Sequence, residues 1–300
     1  MGSLPFSSRA ARTAWRIVPT RALSGVIGWS AGIGIPERLR VPTIERFARL
    51  YGIEARDAEK HLSEYRDVDE FFTRRLRAGA RTVDPRPDVV VSPADGTVIE
   101  GGVATEGHLY QAKGTFFELE ELLTDADASR RLRGGAYLIT YLSPSDYHRV
   151  HAPVSGEIVG WHHIPGTLFP VGVRSVGREP RLFVSNERLV TLIESSAGLC
   201  ALVMVAAIGV GHITTTYDLD IATHARSFRR AGIRHARYDQ PRPVIKGGEI
   251  GTFHLGSTTI VVFEPGRVHL GSFAPGDGTR MGESIGKIVA EGSGRITEVG

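Results

Sequence analysis

An α+β architecture, with a mainly antiparallel β sandwich or barrel-like core and amphipathic helices on its N-terminal side, is the fold this sequence predicts. Three observations predict it. After Pro85 and Pro87 the chain turns into short β-branched runs separated by turn residues. The 36 glycines and 16 prolines supply many tight turns, which suits strands better than a helical bundle. Helical periodicity is concentrated before about residue 82, so the expected division is a helical region of residues 1–82 and a β-rich domain of residues 83–300.

From Thr13 to about Tyr51, Trp15, Ile17, Val18, Ile27, Trp29, Ile33 and Phe47 are interleaved with arginines. The first fifty residues hold eight arginines against two glutamates, whereas the whole chain carries a net charge of only +3. Ile44, Phe47, Ala48 and Tyr51 recur at helical spacing, with Arg46 and Arg49 off that stripe. Such faces either pack on the protein itself or adsorb to an anionic bilayer, which basic residues mixed with tryptophan favour. A nucleic-acid partner is not expected, because no lysine-rich cluster or binding motif accompanies the charge. The stretch SEYRDVDEFFTRRLRAG predicts a second helix that places Tyr65, Phe71, Phe72 and Leu76 among paired charges and closes at Gly79.

Beyond Val83 the runs VVVSPADGTVIEGG, AYLITYLS, SGEIVGWHHI, LVTLIES, LCALVMVAAIGVGHITTTY and STTIVVF read as strands, with a helix expected around Glu118 to Leu132. The single cysteine, Cys200, lies in an apolar run, which excludes a disulfide within the chain and predicts a buried, inert thiol in a reducing environment. No run resembles a transmembrane helix, and scattered arginines replace the pattern of a secretory signal, so export is not expected. Two segments echo each other: SPADGTV at 92–98 and APVSGEI at 152–158. A weaker pair is KGGEIGTF at 246–253 and MGESIGKI at 281–288. Taken alone, these echoes suit a non-enzymatic lipoyl-like or sugar-transport-like β domain.

Three segments could carry chemistry. In FHLGSTTIVVF, glycine before serine leaves the Gly256 carbonyl open to attack by the Ser257 hydroxyl, a step that needs a base and oxyanion donors. Gly-Ser by itself is usually a turn. In YHRVHAP, His148 and His151 offer a base; a strand ending before Pro153 points them to opposite faces, and a turn lets them converge. The remaining histidines show no metal-ligand spacing, so no metal is expected. In SPADGTV, Asp95 precedes glycine, where it is ordinarily a turn residue but can also orient an imidazole.

SPADGTV, YLSPSDYHRVHAPVSGEI, NER at 186–188 and KGGEIGTFHLGSTTIVVFEPG, with QAKG at 111–114, resemble the successive signature segments of the phosphatidylserine decarboxylase proenzymes of the bacterial membrane-associated type. The resemblance runs from roughly Tyr65 to Gly266. It implies a self-cleavage triad of Asp95, His151 and Ser257, with His151 the base that Asp95 orients. It also implies His148 as a participant in decarboxylation. Cleavage between Gly256 and Ser257 would give chains of residues 1–256 and 257–300 that stay together as a heterodimer, and higher oligomers are compatible with this. Ser257 would become a covalent pyruvoyl cofactor that accepts the substrate amine, in place of pyridoxal phosphate. The substrate implied is phosphatidylserine in an anionic membrane, met by a peripheral enzyme on the cytoplasmic face of the inner membrane. A related serine-headed lipid is the nearest alternative.

Overall fold

The structure is a computed structural model that describes residues 31–112, 114–177, 179, 181–208, 212–223, 232–254 and 257–289. The expected amphipathic segment from Thr13 to residue 30, Lys113 of QAKG, and Gly256 lie outside the described residues.

Helix α1, Glu37–Tyr51, stops where Gly52 takes a left-handed conformation (φ 73°) and donates its N–H to the Ala48 carbonyl. Ile44 and Ala48 are buried in a small cluster with Tyr65 and Phe71, and Phe47 packs partly against it. Tyr51 and, off the predicted stripe, Leu39 and Leu50 stay exposed, so the face that packs on the protein is narrower than the periodicity suggests. The second predicted helix is shorter than expected. Only α2, Val68–Phe72, forms, capped by the Asp67 carboxylate accepting from the Glu70 N–H at 2.8 Å. The Thr73 hydroxyl turns back on the Asp69 carbonyl and helps end it, while Leu76 leaves the helical path to bridge to Ala58.

The β body comprises β1 (Val89–Val91), β2 (Gly96–Val103), β3 (His108–Ala112) and β4 (Thr115–Glu118); after two helices come β5 (Ala136–Leu142), β6 (Arg149–His151) and β7 (Gly156–Ile164). The predicted helix at 118–132 is split into α3, Leu119–Leu123, and α4, Ala126–Leu132. Thr124 is left-handed (φ 54°), and Asp125 caps the new start through the Asp127 and Ala128 N–H groups. Short helices α5 (Val173–Val176) and α6 (Leu182–Ser185) precede β8 (Arg188–Ser195), β9 (Gly198–Ala206), β10 (His212–Thr215), β11 (Arg234–Val244), β12 (Glu249–His254), β13 (Ser257–Phe263), β14 (Val268–Leu270), β15 (Gly278–Thr279) and β16 (Ser284–Ile288).

An eight-stranded antiparallel sheet runs β11-β7-β8-β9-β13-β5-β2-β15, and smaller sheets run β10-β12-β6 and β1-β16-β14. The sheets stack as a sandwich, and none closes into a barrel. Side chains of β9 alternate between two cores, as the pleat requires. Cys200, Leu202 and Met204 join Val90, Ile213, Ile250 and Ile285 of the small sheets, while Ala201, Val203 and Val205 join Leu119, Leu122, Leu132 and Phe183 of the helices. Burial on both faces explains the unbroken apolar text of this strand. Cys200 is fully buried, and burial pushes its thiol pKa up, as an inert core residue requires. Strand β11 was not legible, because RHARYDQPRPV carries two prolines and alternating charge. It forms at the outer edge of the large sheet, where proline can be accommodated.

The sequence echoes correspond to a repeated arrangement. The His151 N–H donates to the Pro93 carbonyl at 2.8 Å, and the Val91 N–H donates to the Pro153 carbonyl at 3.0 Å, so the two turns grip each other reciprocally. Each turn also pairs with its own Gly-Glu segment: Gly282 with Ser92, and Gly247 with Ala152. The Met281 N–H donates to the Asp95 carboxylate at 2.9 Å. At the matching place the Lys246 N–H donates to the Ser155 hydroxyl, also at 2.9 Å.

Candidate active site

Ser257 opens β13 and is bonded on both sides, in register with Leu142 of β5 and Ala206 of β9. The end of β9 is fixed by the NER segment. The Ala206 N–H donates to the Glu187 carbonyl, and the Asn186 amide donates to the carbonyls of Ala206 and Phe169. Arg188 gives its donors to four backbone carbonyls, those of Glu121, Leu122, Val184 and Asn186. Burial draws its pKa down to about 10, and its role here is to fasten α3 and α6 to the sheet. Gln111 acts similarly, donating to the Val176 and Glu179 carbonyls and accepting from the Leu182 N–H. The Ser257 residue is fully buried, and its hydroxyl has no hydrogen-bond partner among the described residues. A buried hydroxyl without a partner is costly in a folded protein, and such an atom is a candidate for chemistry.

The turn SPSDYH follows directly after Leu142. The Asp146 carboxylate accepts from the N–H and hydroxyl of Ser143, each at 2.7 Å, and burial raises its pKa. The Asp146 carbonyl accepts from Nδ1 of His148 at 2.9 Å, which leaves Nε2 as the bare nitrogen of a neutral ring. That Nε2 is buried and without a partner among the described residues. Burial draws the His148 pKa down to about 3, and Phe72 covers the ring at a centroid distance of 4.0 Å.

His151 closes β6, and its ring has different neighbours from that of His148. Its Nδ1 donates to the Gly247 carbonyl at 2.8 Å, and its Nε2 accepts from the Tyr147 hydroxyl at 3.2 Å. Burial lowers its pKa too, so both histidines of HRVH are held neutral. The Gly247 carbonyl reaches this ring from a left-handed residue (φ 76°), where an added Cβ would stand 2.5 Å from a Val83 methyl. Arg149, between the histidines, ties β6 to its surroundings by donating to the Thr73 carbonyl at 2.9 Å and to Glu249 at 2.6 Å.

Asp95 is buried, and its carboxylate is held by Arg81, whose Nε donates at 2.9 Å and whose Nη2 makes a second, shorter contact. With the Met281 N–H added, Asp95 has a full set of partners. No hydrogen bond joins it to His151 among the described residues. Asp95, Tyr147 and Asp146 share a polar cavity of about 500 Å³ with Arg74, Arg81 and Arg280. The geometry thus brings the predicted residues to one quarter of the molecule, the loops at the ends of β1, β5 and β6, without joining them into a relay. Tyr147, Arg81 and Arg74 escaped the sequence reading. Arg81 lies fourteen residues from Asp95, with no periodicity to link them, although Tyr147 stands inside a motif already singled out. A further pair also went unseen: His254, three residues before Ser257, donates from Nδ1 to Asp69 at 3.0 Å and stacks on His212 at 3.7 Å. No group of three or more potential ligands able to hold a metal ion occurs among the described residues.

A two-layer β body whose central strand begins with a buried serine, its hydroxyl without a partner among the described residues, and whose adjoining loops carry two neutral histidines defines a class of enzyme built around an unusual strand terminus. Comparison with known proteins makes the assignment specific. The family description "Phosphatidylserine decarboxylase" matches residues 68–287. A phosphatidylserine decarboxylase proenzyme of Anaeromyxobacter sp. (strain K) is 42% identical over 275 residues, covering 91% of this chain and 96% of its own. That of Myxococcus xanthus is 41% identical over 274 residues with the same coverage, and that of Ectopseudomonas mendocina is 37% identical over 277 residues, covering 90% and 95%. The chain belongs to the phosphatidylserine decarboxylase family, and the non-enzymatic carrier domain suggested by the repeated turns gives way to a decarboxylase.

Proposed function

We propose that this chain is a proenzyme that converts Ser257 into a pyruvoyl group and with it decarboxylates phosphatidylserine to phosphatidylethanolamine. The observation that carries this reading is the Ser257 hydroxyl, wholly buried and without a partner among the described residues at the first position of a central strand. A pyruvoyl group is smaller than the serine residue it derives from and has no hydroxyl, so it fits the space and removes the orphaned donor.

Attack of the Ser257 oxygen on the Gly256 carbonyl exchanges an amide for an ester, and the hydroxyl proton passes to a neutral imidazole. Loss of the Ser257 α-proton then expels the Gly256 carboxylate and leaves dehydroalanine, whose imine form takes up water and releases ammonia. His151 is the proposed base and Asp95 its orienting partner. For this, His151 Nε2 must exchange the Tyr147 hydroxyl for that of Ser257, its Nδ1–H must exchange the Gly247 carbonyl for the Asp95 carboxylate, and Asp95 must turn from Arg81. The pyruvoyl group supplies an electron sink for the pair released as the carboxylate departs as CO2. His148 Nε2, bare and neutral, is the proposed site that holds the proton returned to the former α-carbon.

Residues 1–82 are proposed to hold the enzyme as a peripheral protein on the cytoplasmic face of an anionic membrane. This is supported by the arginine surplus and by the exposure of Ile33, Leu39 and Leu50, the last 72% exposed. Among the described residues no helix is long and apolar enough to cross a membrane. The two chains are proposed to remain a heterodimer. Intact mass of purified protein tests the reading. The wild type is expected as two chains, the smaller with a blocked, ketone-bearing N-terminus, and Ser257→Ala as one uncut, inactive chain. An active Ser257→Ala protein overturns it.

A further inference from the structure

Arg74 follows α2 and is 4% exposed, yet its guanidinium is poorly provided for. Its Nε is buried without a partner, and Nη1 reaches only the Phe72 carbonyl at 3.5 Å, the outer limit for a hydrogen bond. No acidic side chain pairs with it among the described residues, and its guanidinium carbon lies 5.4 Å from the centre of the Phe71 ring. Two other arginines differ: the buried Arg188 is saturated by carbonyls, and the partly buried Arg81 is held by Asp95 and Asp57. Burying a guanidinium without a counter-anion is expensive, and burial lowers the Arg74 pKa accordingly.

Arg74 lines the cavity shared with Asp95, Asp146 and Tyr147. The carboxylates there are otherwise engaged: Asp57 and Asp95 by Arg81, Glu54 by Arg56, Glu283 by the Arg280 N–H, and Asp146 by Ser143. The two residues before it are held in place, since Arg149 donates to the Thr73 carbonyl and Phe72 lies against His148.

We infer that Arg74 receives the phosphodiester of the lipid head group. This rests on the decarboxylase reading above and deepens it. The head group offers two anions. The carboxylate loses its charge as the reaction proceeds, so a cation paired with it would stabilise the ground state more than the transition state. The phosphodiester keeps its charge from substrate to product, and the guanidinium fork matches two of its oxygens.

The experiment uses the full chain as wild type, Arg74→Gln and Arg74→Lys. The cut fraction is measured by intact mass. On the cut protein, KM and kcat are measured with phosphatidylserine in detergent micelles, together with inhibition by glycerophosphoethanolamine and by free serine. Arg74→Gln is expected to raise KM roughly tenfold or more and to weaken glycerophosphoethanolamine inhibition by a similar factor, the worth of a charged hydrogen bond, with serine inhibition unchanged. Arg74→Lys, which keeps the charge and loses the fork, is expected between the two and decides the matter if the glutamine variant does not fold. Wild-type KM and inhibition in the variant that folds overturn the inference, as does weakened serine inhibition with glycerophosphoethanolamine inhibition intact. A wild type that neither cuts itself nor decarboxylates defeats the underlying reading instead.

Discussion

Asp95 serves two tasks that mutation can separate. It accepts the Met281 N–H just as Ser155 accepts the Lys246 N–H in the echoing turn, and it also carries a charge matched by Arg81. Asp95→Ser copies the serine of the other turn and is expected to keep the fold while losing self-cleavage, if the charge is what processing requires. Normal cutting by Asp95→Ser, seen on a denaturing gel, would reduce the aspartate to a turn residue. The two histidines separate likewise. His148→Ala is expected to cut and then turn over poorly, and His151→Ala to remain one chain; the reverse pattern would exchange their roles. Both are held neutral by burial, so their folded pKa values lie below the unfolded value of about 6.5. Their contribution to stability is therefore full above pH 6.5 and is lost as pH falls towards the folded values. Each such group costs up to ~1.4 kcal/mol per pH unit across that window. Denaturant midpoints at pH 7 and pH 5 are expected to fall, and His148→Ala to flatten the slope.

At the scale of elements, the apolar strands were legible because they depend on local texture, whereas the polar edge strand β11 and the lengths of the helices were not. β5, β7, β8 and β13 form where β-branched runs predict them. The stretches ending at Gly79 and Leu132 look continuous in text but break at Thr73 and Thr124, where a side chain or a left-handed residue interrupts the ladder. Candidate residues within motifs could be named from the text; Arg74 and Arg81 could not, because contact across the fold selects them. The turn at Gly247 tests how closely local geometry controls the site. Gly247→Ala places a Cβ against Val83 and strains a left-handed residue by ~1–2 kcal/mol. Slower self-cleavage is expected, because this carbonyl holds the proton of the neutral His151 ring on Nδ1 and so keeps Nε2 as the acceptor before Asp95 takes its place; an unchanged cutting rate would show that this carbonyl is dispensable. For α1, the exposed Leu39 and Leu50 predict a loss of binding to anionic liposomes when both become serine, measured by co-sedimentation.

At the scale of the whole molecule, the echoes explain why two text fragments sixty residues apart look alike. Each is a turn that joins a small-sheet strand to a strand of the large sheet, and each is closed by a Gly-Glu partner. The candidate site lies where these turns grip each other, which places Asp95 and His151 near one another despite their distance in the chain. The position of Ser257 has a further consequence. The segment that starts there contributes the middle strand β13, adds β15 to the end of the large sheet, and completes a small sheet with β14 and β16. An intact precursor brings these pieces home as a tethered search, whereas a severed one must find them by diffusion, with no covalent memory of the pairing. Cleavage before Ser257, as proposed, would confine assembly to the intact precursor. Recovery after guanidinium treatment and dilution is expected to be good for Ser257→Ala, followed by circular dichroism, and poor for the mature protein at the same concentration.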